Sequence, residues 1–500
     1  MPVSPEPPKR PKYIAVDRKQ MLWIATDWEE LIPASHPARA IWALTGRLDL
    51  SAFEETIQSL EGEGGRPRWP PRLLISVLVY AYSEAVSSVR EMEQMMEQEP
   101  GMRWLCGGQV INYHTLADFR MEQKQRLEQL FIGILAVLEQ EDLIDLSTVM
   151  QDGTKVQAVA GQQSFHRRQS LEQHRERARE ALRKLEVRAE TEPRAERRTG
   201  AEAARQRAAR EKLERMEEAL RELERRQAQA RPEDGVELRV SQSEPEARKM
   251  KHSDGGWAPS YNVQTSTDAK HKILVAVSVS QDANDLAQLQ PAVEQIEVNL
   301  GAQPGRVVAD GGYASRENVR AMASRQIQFM APWKEAESRH AGTLKRQGID
   351  REFSVRAFTV LPDGSALQCP AGKLLRRVQQ HRHHGEDCQV YQAAAPDCAG
   401  CEQQRRCCGH HAVRRLHRVQ ETPEMQAYLE RMQQPETEPY YKQRKAVAET
   451  PHLWWKAIFH WRQFSVRGLA RAAKEALWLG LTYNIRQWIR LKWKPDMGTA

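Results

Sequence analysis

Two aspartates occupy matching positions in the sequence. Asp152 ends the segment STVMQD and Asp310 ends RVVAD, and each follows an apolar run and precedes a glycine. Carboxylates at the ends of adjacent buried strands can share a divalent metal, and hard oxygen ligands suit Mg²⁺ or Mn²⁺. Two such ions about 4 Å apart activate a water or a 3′-hydroxyl and stabilise the leaving oxygen at phosphorus. The pair indicates phosphodiester chemistry, and an ordinary Asp-Gly turn is the alternative, since the chain carries 67 acidic residues.

Cysteine spacing predicts a second metal centre. Six of the seven cysteines lie between Cys369 and Cys408, which argues for a local cluster and against a chain-wide disulfide framework. Three of them form a C-x₂-C-x₅-C unit: Cys398, Cys401 and Cys407. Either Cys369 or Cys388 would complete four tetrahedral ligands for a structural Zn²⁺. The alternative is an insertion that has lost its metal and keeps free thiols in a reducing compartment.

The composition describes a globular protein with a basic balance. The 500 residues contain 74 Lys and Arg against 67 Asp and Glu, a formal charge of +7, and 40% of them are hydrophobic. That apolar share excludes wholesale disorder, and the length excludes one small binding module. A pI near 9.0 favours a polyanionic partner, although the net charge is mild for this length. No run reaches the ~18 apolar residues of a membrane span and the N-terminus has no signal-peptide core, so we expect a cytoplasmic protein that does not contact a membrane.

Apolar residues at three- and four-residue spacing predict helices from about Ala38 to Gln140. Ser87 or Ser88 would cap one short helix, and INYHTLADFR would begin another. Two short helices joined by a turn are typical of a DNA-binding unit, and a plain helical bundle is the alternative. We expect residues 1–140 to form a helical N-terminal domain with a role in DNA binding.

Strand patterns after this domain predict a mixed α/β sheet. The apolar run before Asp152 predicts a buried strand that ends in a turn at Asp152-Gly153. Four further strands are predicted: SYNVQTSTD, KILVAVSVS, RVVAD and IQFMAP. The first two are close enough for a hairpin, and helical segments separate the others as in a parallel α/β unit.

Two insertions are predicted within the sheet domain. Residues 166–248 are rich in Glu, Arg, Ala and Leu, which predicts an antiparallel pair of long charged helices with its tip near residues 191–200. A solvated hairpin and a DNA-contacting arm are the two interpretations of it. Residues 334–439 are irregular and rich in His and Cys. The sheet core then comprises three pieces: residues 141–165, 249–333 and 440–500.

Four segments in a fixed order resemble the DDE transposases of bacterial insertion sequences: DGTKVQAVA, EARKMKHSDGGWAPSYNVQTSTD, VVADGGYASRENV and YYKQRKAVAETPHLWWK. The segment GGRPRWPPRLLISVLVYAYSEAVSSVREMEQ and the LADFR that follows it resemble the helical N-terminal domain of these enzymes. The Cys-rich block resembles an insertion that many of them place before the last acidic residue. The resemblance covers most of the chain and implies an RNase H-like catalytic core.

The resemblance implies three catalytic acids that hold the metal ions. Asp152 in VMQDGTK is the first acid and Asp310 in VVADGGY is the second. The related enzymes then carry a Tyr, two residues, an Arg, a short spacer and a Glu, with a Lys seven positions later. Four residues meet that spacing here: Tyr441, Arg444, Glu449 and Lys456. Glu449 is therefore implied as the third acid, and Lys456, two helical turns further on, as a contact to a phosphate.

Pro451 bears on this assignment. Because proline is tolerated in the first turn of a helix, the helix is predicted to begin near Thr450, with Glu449 on its cap side. Glu475 in KEALW is the competing third acid, although its apolar neighbours predict the inward face of a helix.

Further side chains are expected to position ligands or contact DNA. The resemblance implies that Tyr313, in the D-x-G-Y motif, stacks on or hydrogen-bonds to a base or sugar, and a half-buried strand-end aromatic is the alternative. Asn262 and Gln264 in SYNVQ would orient a ligand carboxylate or form a cross-strand hydrogen bond. The C-terminal segment interleaves Arg with Trp and Leu, of which the apolar residues are predicted core and the outer Arg residues DNA contacts. The expected DNA contacts are five: Tyr313, Tyr441, Arg444, Lys456 and Arg467.

The resemblance implies a DDE transposase that binds the terminal inverted repeats of an insertion sequence, cleaves at the element ends and joins the 3′-hydroxyls to target DNA. Two Mg²⁺ or Mn²⁺ ions held by Asp152, Asp310 and Glu449 would serve both steps. Double-stranded DNA is the expected partner, a homodimer on DNA is expected because both ends must be positioned, and the expected location is the nucleoid in a bacterial cytoplasm. The alternatives are an RNase H-like nuclease without strand transfer and a catalytically silent DNA-binding protein derived from a transposase.

Overall fold

The computed structural model describes residues 27–55, 57, 67–121, 124–191, 199–229, 237–252, 254–333, 344–361, 363–383, 386–419 and 422–495.

The N-terminal region is helical. Its helices are α1 (Pro37–Thr45), α2 (Ser51–Glu54), α3 (Pro71–Ser83), α4 (Val89–Gln98), α5 (Pro100–Cys106), α6 (Tyr113–Arg120) and α7 (Lys124–Gln140). Helices α1, α3 and α5 each begin at a proline, whose missing N–H would have no partner in a first helical turn. Ser88 precedes α4, and the Asn112 side chain accepts the His114 N–H at 2.9 Å to begin α6. The two predicted short helices exist, but α5 lies between them, so they are not joined by one turn.

The middle of the chain alternates strands and helices. Its elements are β1 (Val149–Gln157), β2 (Phe165–His166), α8 (Arg168–Thr191), α9 (Thr199–Gln229), β3 (Val240–Ser241), β4 (Arg248–Lys251), β5 (Trp257–Asp268), β6 (Leu274–Ser280), α10 (Leu289–Leu300), β7 (Arg306–Val308), α11 (Arg316–Ser324) and β8 (Gln328–Met330).

Six of these strands form one mixed sheet. Strand β5 pairs antiparallel with β1 along one edge and with β4 and β6 along the other, while β1, β7 and β8 run parallel. Helices α10 and α11 make the crossovers that parallel strands require. The order β6-β5-β1-β7-β8, three antiparallel strands followed by two parallel ones, is an RNase H-like sheet and confirms the predicted fold.

Strand β1 is longer than its sequence predicts. It does not end at Asp152-Gly153, because residues 153–157 continue the ladder opposite residues 260–264 of β5. Asp152 is therefore the fourth of nine residues in the strand. This correction places Asp152 on the sheet itself and not in a turn.

Helices α8 and α9 form the insertion between β1 and β4. They pack against each other, and the short strands β2 and β3 pair at their base. A small apolar cluster that includes Leu171, Met216 and Leu223 stabilises this base. The predicted tip near residues 191–200 falls largely on residues 192–198, which lie outside the described residues.

The Cys-rich block contains its own sheet and is followed by three helices. The elements are β9 (Thr359–Val360), β10 (Ala366–Gln368), β11 (Leu374–His383), β12 (Glu386–Ala393), α12 (Ala395–Ala399), α13 (Gln404–Cys408), β13 (Arg415–Val419), α14 (Pro423–Gln433), α15 (Thr437–Leu453), a π-helical turn (Trp454–Ile458) and α16 (Leu469–Leu491). Strands β9 to β13 pair antiparallel in chain order. This sheet was not predicted. Its strands carry polar residues on both faces, so they lack the apolar–polar alternation by which a strand is identified in a sequence.

Helix α14 belongs to the sheet core, although the sequence predicts that the Cys-rich block extends to residue 439. The Tyr428 ring stacks on Phe329 of β8 at 5.7 Å, and its hydroxyl donates to the Ala331 carbonyl. Met425 joins the same apolar cluster. The chain therefore returns to the core near residue 423.

Helix α16 connects the sheet to the N-terminal helices. It is buried along most of its length, packs against α3, α7 and β6, and donates the Trp478 indole N–H to the Arg120 carbonyl at 3.1 Å. Its Trp residues and the Leu residues in its middle are core, as predicted, whereas Leu491 at its end is exposed. One apolar cluster spans the N-terminal helices, β5, β6 and α16, so these parts fold together. Within the described part of the chain, no helix combines the length and apolarity needed to cross a bilayer.

Candidate functional site

Asp152, in β1, and Asp310, two residues after the end of β7, are neighbours because these two strands run parallel side by side. In the ladder between β1 and β7, Met150 pairs with Val308, and each aspartate follows its member of that pair by two residues. The Asp310 carboxylate accepts the Gly312 N–H at 2.6 Å, while Asp152 accepts the Gly153 N–H at 2.9 Å. The sheet therefore brings the first two predicted acids together.

The Asp152 carboxyl is buried close to other carboxylates. Its side chain is 15% exposed, and burial raises its pKa to about 6, with Asp310 and Asp285 adding to the rise and Arg444 opposing it. Burial and like charges both disfavour the ionised form. A divalent cation between these carboxylates would relieve that cost, so the donor set fits a hard metal ion.

Helix α15 lies over Asp152. Arg444 Nη1 is 3.7 Å from Asp152 Oδ2, and His452 Nδ1 is 3.9 Å from the same oxygen. Burial lowers the His452 pKa to about 3, so this ring is neutral near pH 7 and its Nε2 hydrogen-bonds Thr265 Oγ1 at 2.9 Å. Arg444 is thus the positively charged residue of α15 that lies beside the Asp152 carboxylate. His452 was not predicted as a site residue.

Pro451 does not mark the start of this helix. Helix α15 begins at Thr437 and contains Pro451 in its last turn, after which the chain winds into the π-helical turn. The predicted start near Thr450 is wrong. An interior proline removes one helical hydrogen bond, and burial of Pro451 in the core offsets this cost. Glu449 is a helical residue and not a cap.

Lys456 projects from the π-helical turn toward β1. Its Nζ donates to Thr154 Oγ1 at 2.6 Å, two residues along the strand from Asp152. Burial lowers the pKa of this ammonium, and the carboxylates of Asp152 and Glu449 oppose the shift. Both carboxylates therefore lie close enough to act on Lys456. The Glu449 side chain is exposed to solvent beside it.

Glu475, the competing third acid, occupies a different environment. It is fully buried in α16 and accepts the Ser465 N–H on both oxygens, at 3.2 and 3.0 Å. Burial raises its pKa, and the Arg120 charge opposes that rise. These contacts join α16 to the preceding loop and give Glu475 a structural role.

A further carboxylate, Asp285, meets the two aspartates. It lies in the loop between β6 and α10, and its Oδ1 accepts Asn262 Nδ2 and Gln264 Nε2, each at 2.7 Å. Asn262 and Gln264 are alternate residues of β5 and so share one face of the sheet. Their predicted role in orienting a carboxylate is met by Asp285, which sequence reasoning missed. The one sequence feature that could have indicated it is this pair of amides.

Two glycines make room for Asp285. A Cβ at Gly153 would lie 2.7 Å from Asp285 Oδ1 and 2.5 Å from Gln264 Nε2. A Cβ at Gly312 would lie 2.8 Å from Asp310 Oδ1 and 3.5 Å from Asp285 Oδ2. The glycine after the first acid and the glycine two residues after the second therefore let the loop carboxylate approach both strands.

Tyr313 is not available to stack on a base. Its side chain is fully buried, and its hydroxyl donates to Gln264 Oε1. The same Gln264 oxygen also accepts a hydrogen bond from Gln151 Nε2 at 2.9 Å. The predicted DNA contact is wrong for this residue, because the ring packs under the acidic site and fixes the amide that holds Asp285.

The other predicted DNA contacts vary in exposure. Tyr441 is half-buried with the Arg444 guanidinium 5.8 Å from its ring centre. Arg467 is exposed in the loop before α16. A cavity of about 350 Å³ lies beyond the end of β1, lined by Gln157, His252 and Trp257 among others, and it contains none of the predicted site residues.

The predicted zinc ligands gather around one small cavity in the Cys-rich block. Cys369, Cys398, Cys401 and Cys407 line it together with Cys408. Among the described residues, no three of their sulfur atoms all lie within 4.8 Å of one another. Among the described residues, the trio whose ligand atoms all lie within 4.8 Å of one another is His381, Cys388 and His417, on three neighbouring strands.

Comparison with known proteins identifies the family. Residues 225–485 match the family model described as the transposase DDE domain, and residues 26–122 match the one described as a transposase domain (DUF772). The first match includes Asp285, Asp310 and Glu449 and begins after Asp152.

No curated protein matches the chain. A cryo-EM structure of a piggyBac transposase synaptic complex with hairpin DNA is similar over 93% of this chain and 74% of that one, at 7% identity and a TM-score of 0.28. That likeness is too small to carry an argument. The DDE-domain match alone covers more than half of the chain, and the chain therefore belongs to the DDE-domain transposases.

Proposed function

We propose that this DNA transposase is encoded by a bacterial insertion sequence, binds the terminal inverted repeats of its element, cleaves at the element ends and joins the freed 3′-hydroxyls to target DNA. The observation that carries the proposal is the pair formed by Asp152 in β1 and Asp310 just after the adjacent parallel strand β7 of the RNase H-like sheet, with Arg444 of α15 beside Asp152.

Each site residue has its own proposed role. Asp152 and Asp310 would hold the metal ions, with Glu449 as the third acid from α15. When bound, two Mg²⁺ or Mn²⁺ ions supply activation of the attacking oxygen and stabilisation of the leaving oxygen. The Arg444 charge keeps the Asp152 pKa lower than burial alone would set it. Lys456, held on Thr154 next to the acids, would contact a phosphate of the scissile strand.

DNA binding would use surfaces on both sides of this site. The N-terminal helices share their core with α16, so DNA held by them is fixed relative to the acids. Tyr441 and Arg467 would add contacts to the backbone. Because both ends of the element must be positioned for cleavage and joining, we expect a homodimer on DNA.

A strand-transfer assay tests the proposal. Purified protein is incubated with Mg²⁺, a labelled duplex ending in the terminal repeat of the element, and supercoiled target plasmid. Labelled ends joined to the plasmid support transposition. Cleaved but unjoined ends would indicate the nuclease alternative, and binding without cleavage by a folded protein would indicate the silent one.

A further inference from the structure

The Cys-rich block folds around a core that contains cysteines where other domains have aliphatic residues. Cys398, Cys407 and Cys408 are buried in the cluster beneath the five-stranded sheet, and Cys369 packs against it. All seven cysteines of the chain are free thiols. A small module that buries several thiols in one place is typical of a structural metal site.

Two tight turns present cysteines to the same cavity. At Cys369, the Gly372 N–H donates to the Cys369 carbonyl at 2.8 Å, and the Lys373 N–H points at Cys369 Sγ at 3.2 Å. At the second turn, the Cys401 N–H donates to the Cys398 carbonyl at 3.1 Å. An N–H directed at sulfur stabilises the thiolate, which is the form that binds metal.

Arg414 supplies an independent observation. Its side chain is 4% exposed and lines the same cavity. One nitrogen, Nη2, donates to the Phe353 carbonyl at 2.8 Å, whereas Nε is buried without a hydrogen-bond partner. Burial lowers the pKa of this guanidinium, and thiolates at the neighbouring Cys407 and Cys408 would oppose that shift. A buried cation is costly unless an anion accompanies it.

We propose that Cys369, Cys398, Cys401 and Cys407 bind one structural Zn²⁺, and that Arg414 neutralises the negative charge of the tetrathiolate. The four sulfurs already surround one cavity, and binding would bring each of them to about 2.3 Å from the ion. Cys408 lines the same cavity but lies outside the set, because Cys398, Cys401 and Cys407 form the C-x₂-C-x₅-C unit.

The trio His381, Cys388 and His417 is the rival site. It lies on one face of the sheet, its His417 is exposed, and it offers three ligands. In the part of the chain that the structure describes, the buried arginines are Arg120 and Arg414, and Arg414 lines the cysteine cavity. The two sites share no residue, so substitutions separate them.

The experiment measures zinc in the full-length protein. Wild-type chain purified without chelators and dialysed is analysed for metal content, alongside Cys401→Ser and the matched control Cys388→Ser. Cys401 is, with Cys369, one of the two half-buried members of the proposed set, so its substitution should disturb packing less than that of the buried Cys398 or Cys407. We expect one Zn²⁺ per chain in wild type and in Cys388→Ser, with a loss of most of it in Cys401→Ser.

Cobalt substitution gives a second readout. Tetrahedral Co²⁺ with four thiolates has intense sulfur-to-cobalt charge-transfer bands, whereas one thiolate and two imidazoles give a much weaker band. This measurement uses wild-type protein and decides the matter if Cys401→Ser fails to fold. Zinc lost in Cys388→Ser but kept in Cys401→Ser, a weak one-thiolate cobalt band, or metal-free wild type from zinc-supplemented cells would each overturn the proposal.

Discussion

Asp152 and Asp310 are neighbours, each two residues beyond the paired Met150 and Val308 of the parallel strands β1 and β7. This relationship follows from the sheet order, because β1 and β7 are neighbours although about 150 residues of chain separate them. Asp285 closes the site from the loop after β6, held by two amides of β5. Carboxylates from three separate elements therefore meet at one place.

Glu449 and Glu475 should respond differently to the same change. We expect Glu449→Gln to reduce cleavage by about 100-fold or more with a free energy of unfolding within roughly 0.5 kcal/mol of wild type, because the side chain is exposed. Glu475→Gln should lower the free energy of unfolding by about 1–3 kcal/mol, because it weakens the hydrogen bond that the buried carboxylate accepts on both oxygens from the Ser465 N–H. Denaturant melts and single-turnover cleavage test this, and normal cleavage by Glu449→Gln would remove it as the third acid.

Asp285 should contribute to metal binding. Asp285→Asn keeps an oxygen for Asn262 and Gln264 but removes the charge beside Asp310. We expect Mn²⁺ affinity, measured by calorimetry, to fall by about 10-fold or more. Asp282→Asn is the matched control, since Asp282 is exposed on the same loop and carries the same charge. Equal affinities in both variants would make Asp285 a packing residue.

Asp152 should destabilise the metal-free protein at neutral pH. Its pKa is raised from 3.8 to about 6 in the folded state, so the folded chain binds the proton more tightly than the unfolded chain. The free energy of unfolding therefore falls as pH rises between these values, and the cost is complete above about pH 6. In EDTA, Asp152→Asn should be more stable than wild type by roughly 1–3 kcal/mol at pH 8, with little difference below pH 4. A variant that is less stable at pH 8 would contradict the assigned environment.

Arg444 should set the acid limb of the reaction. Its charge opposes the rise in the Asp152 pKa, so Arg444→Gln should move the acid limb of the pH–rate profile upward by roughly one unit. Lys445→Gln removes the same charge from an exposed neighbour and should leave the limb in place. Cleavage rates of both variants are measured from pH 5 to 9. If the Arg444→Gln and wild-type profiles coincide, Arg444 does not affect the Asp152 pKa.

Local patterns predicted the elements of the core. The strands β5, β6, β7 and β8 and the helix α10 follow from apolar alternation and helical spacing, and both aspartates were identified as candidate metal ligands. The extension of β1 past Gly153 could not be predicted, because it depends on pairing with β5. The passage of α15 through Pro451 depends on burial of that residue in the core.

The remaining site residues depend on contacts distant in the sequence. Asp285 lies in QDANDLAQ, where local chemistry predicts only a turn before a helix. Its role arises from Asn262 and Gln264 on another strand. Tyr313 carries a motif that the resemblance linked to DNA, whereas the fold buries its ring beneath the site. Family motifs identified which residues matter but not which way each side chain points.

The most direct test of the central claim compares Asp152→Ala and Asp310→Ala with wild type in parallel DNA-binding and Mg²⁺-dependent cleavage assays on a terminal-repeat duplex. Each variant removes a proposed metal ligand and leaves the basic surfaces intact, so binding should stay within about twofold while cleavage and joining should fall by roughly 1,000-fold or more. Near-normal Mg²⁺-dependent cleavage by either folded variant would contradict the assignment of these two carboxylates as the catalytic pair.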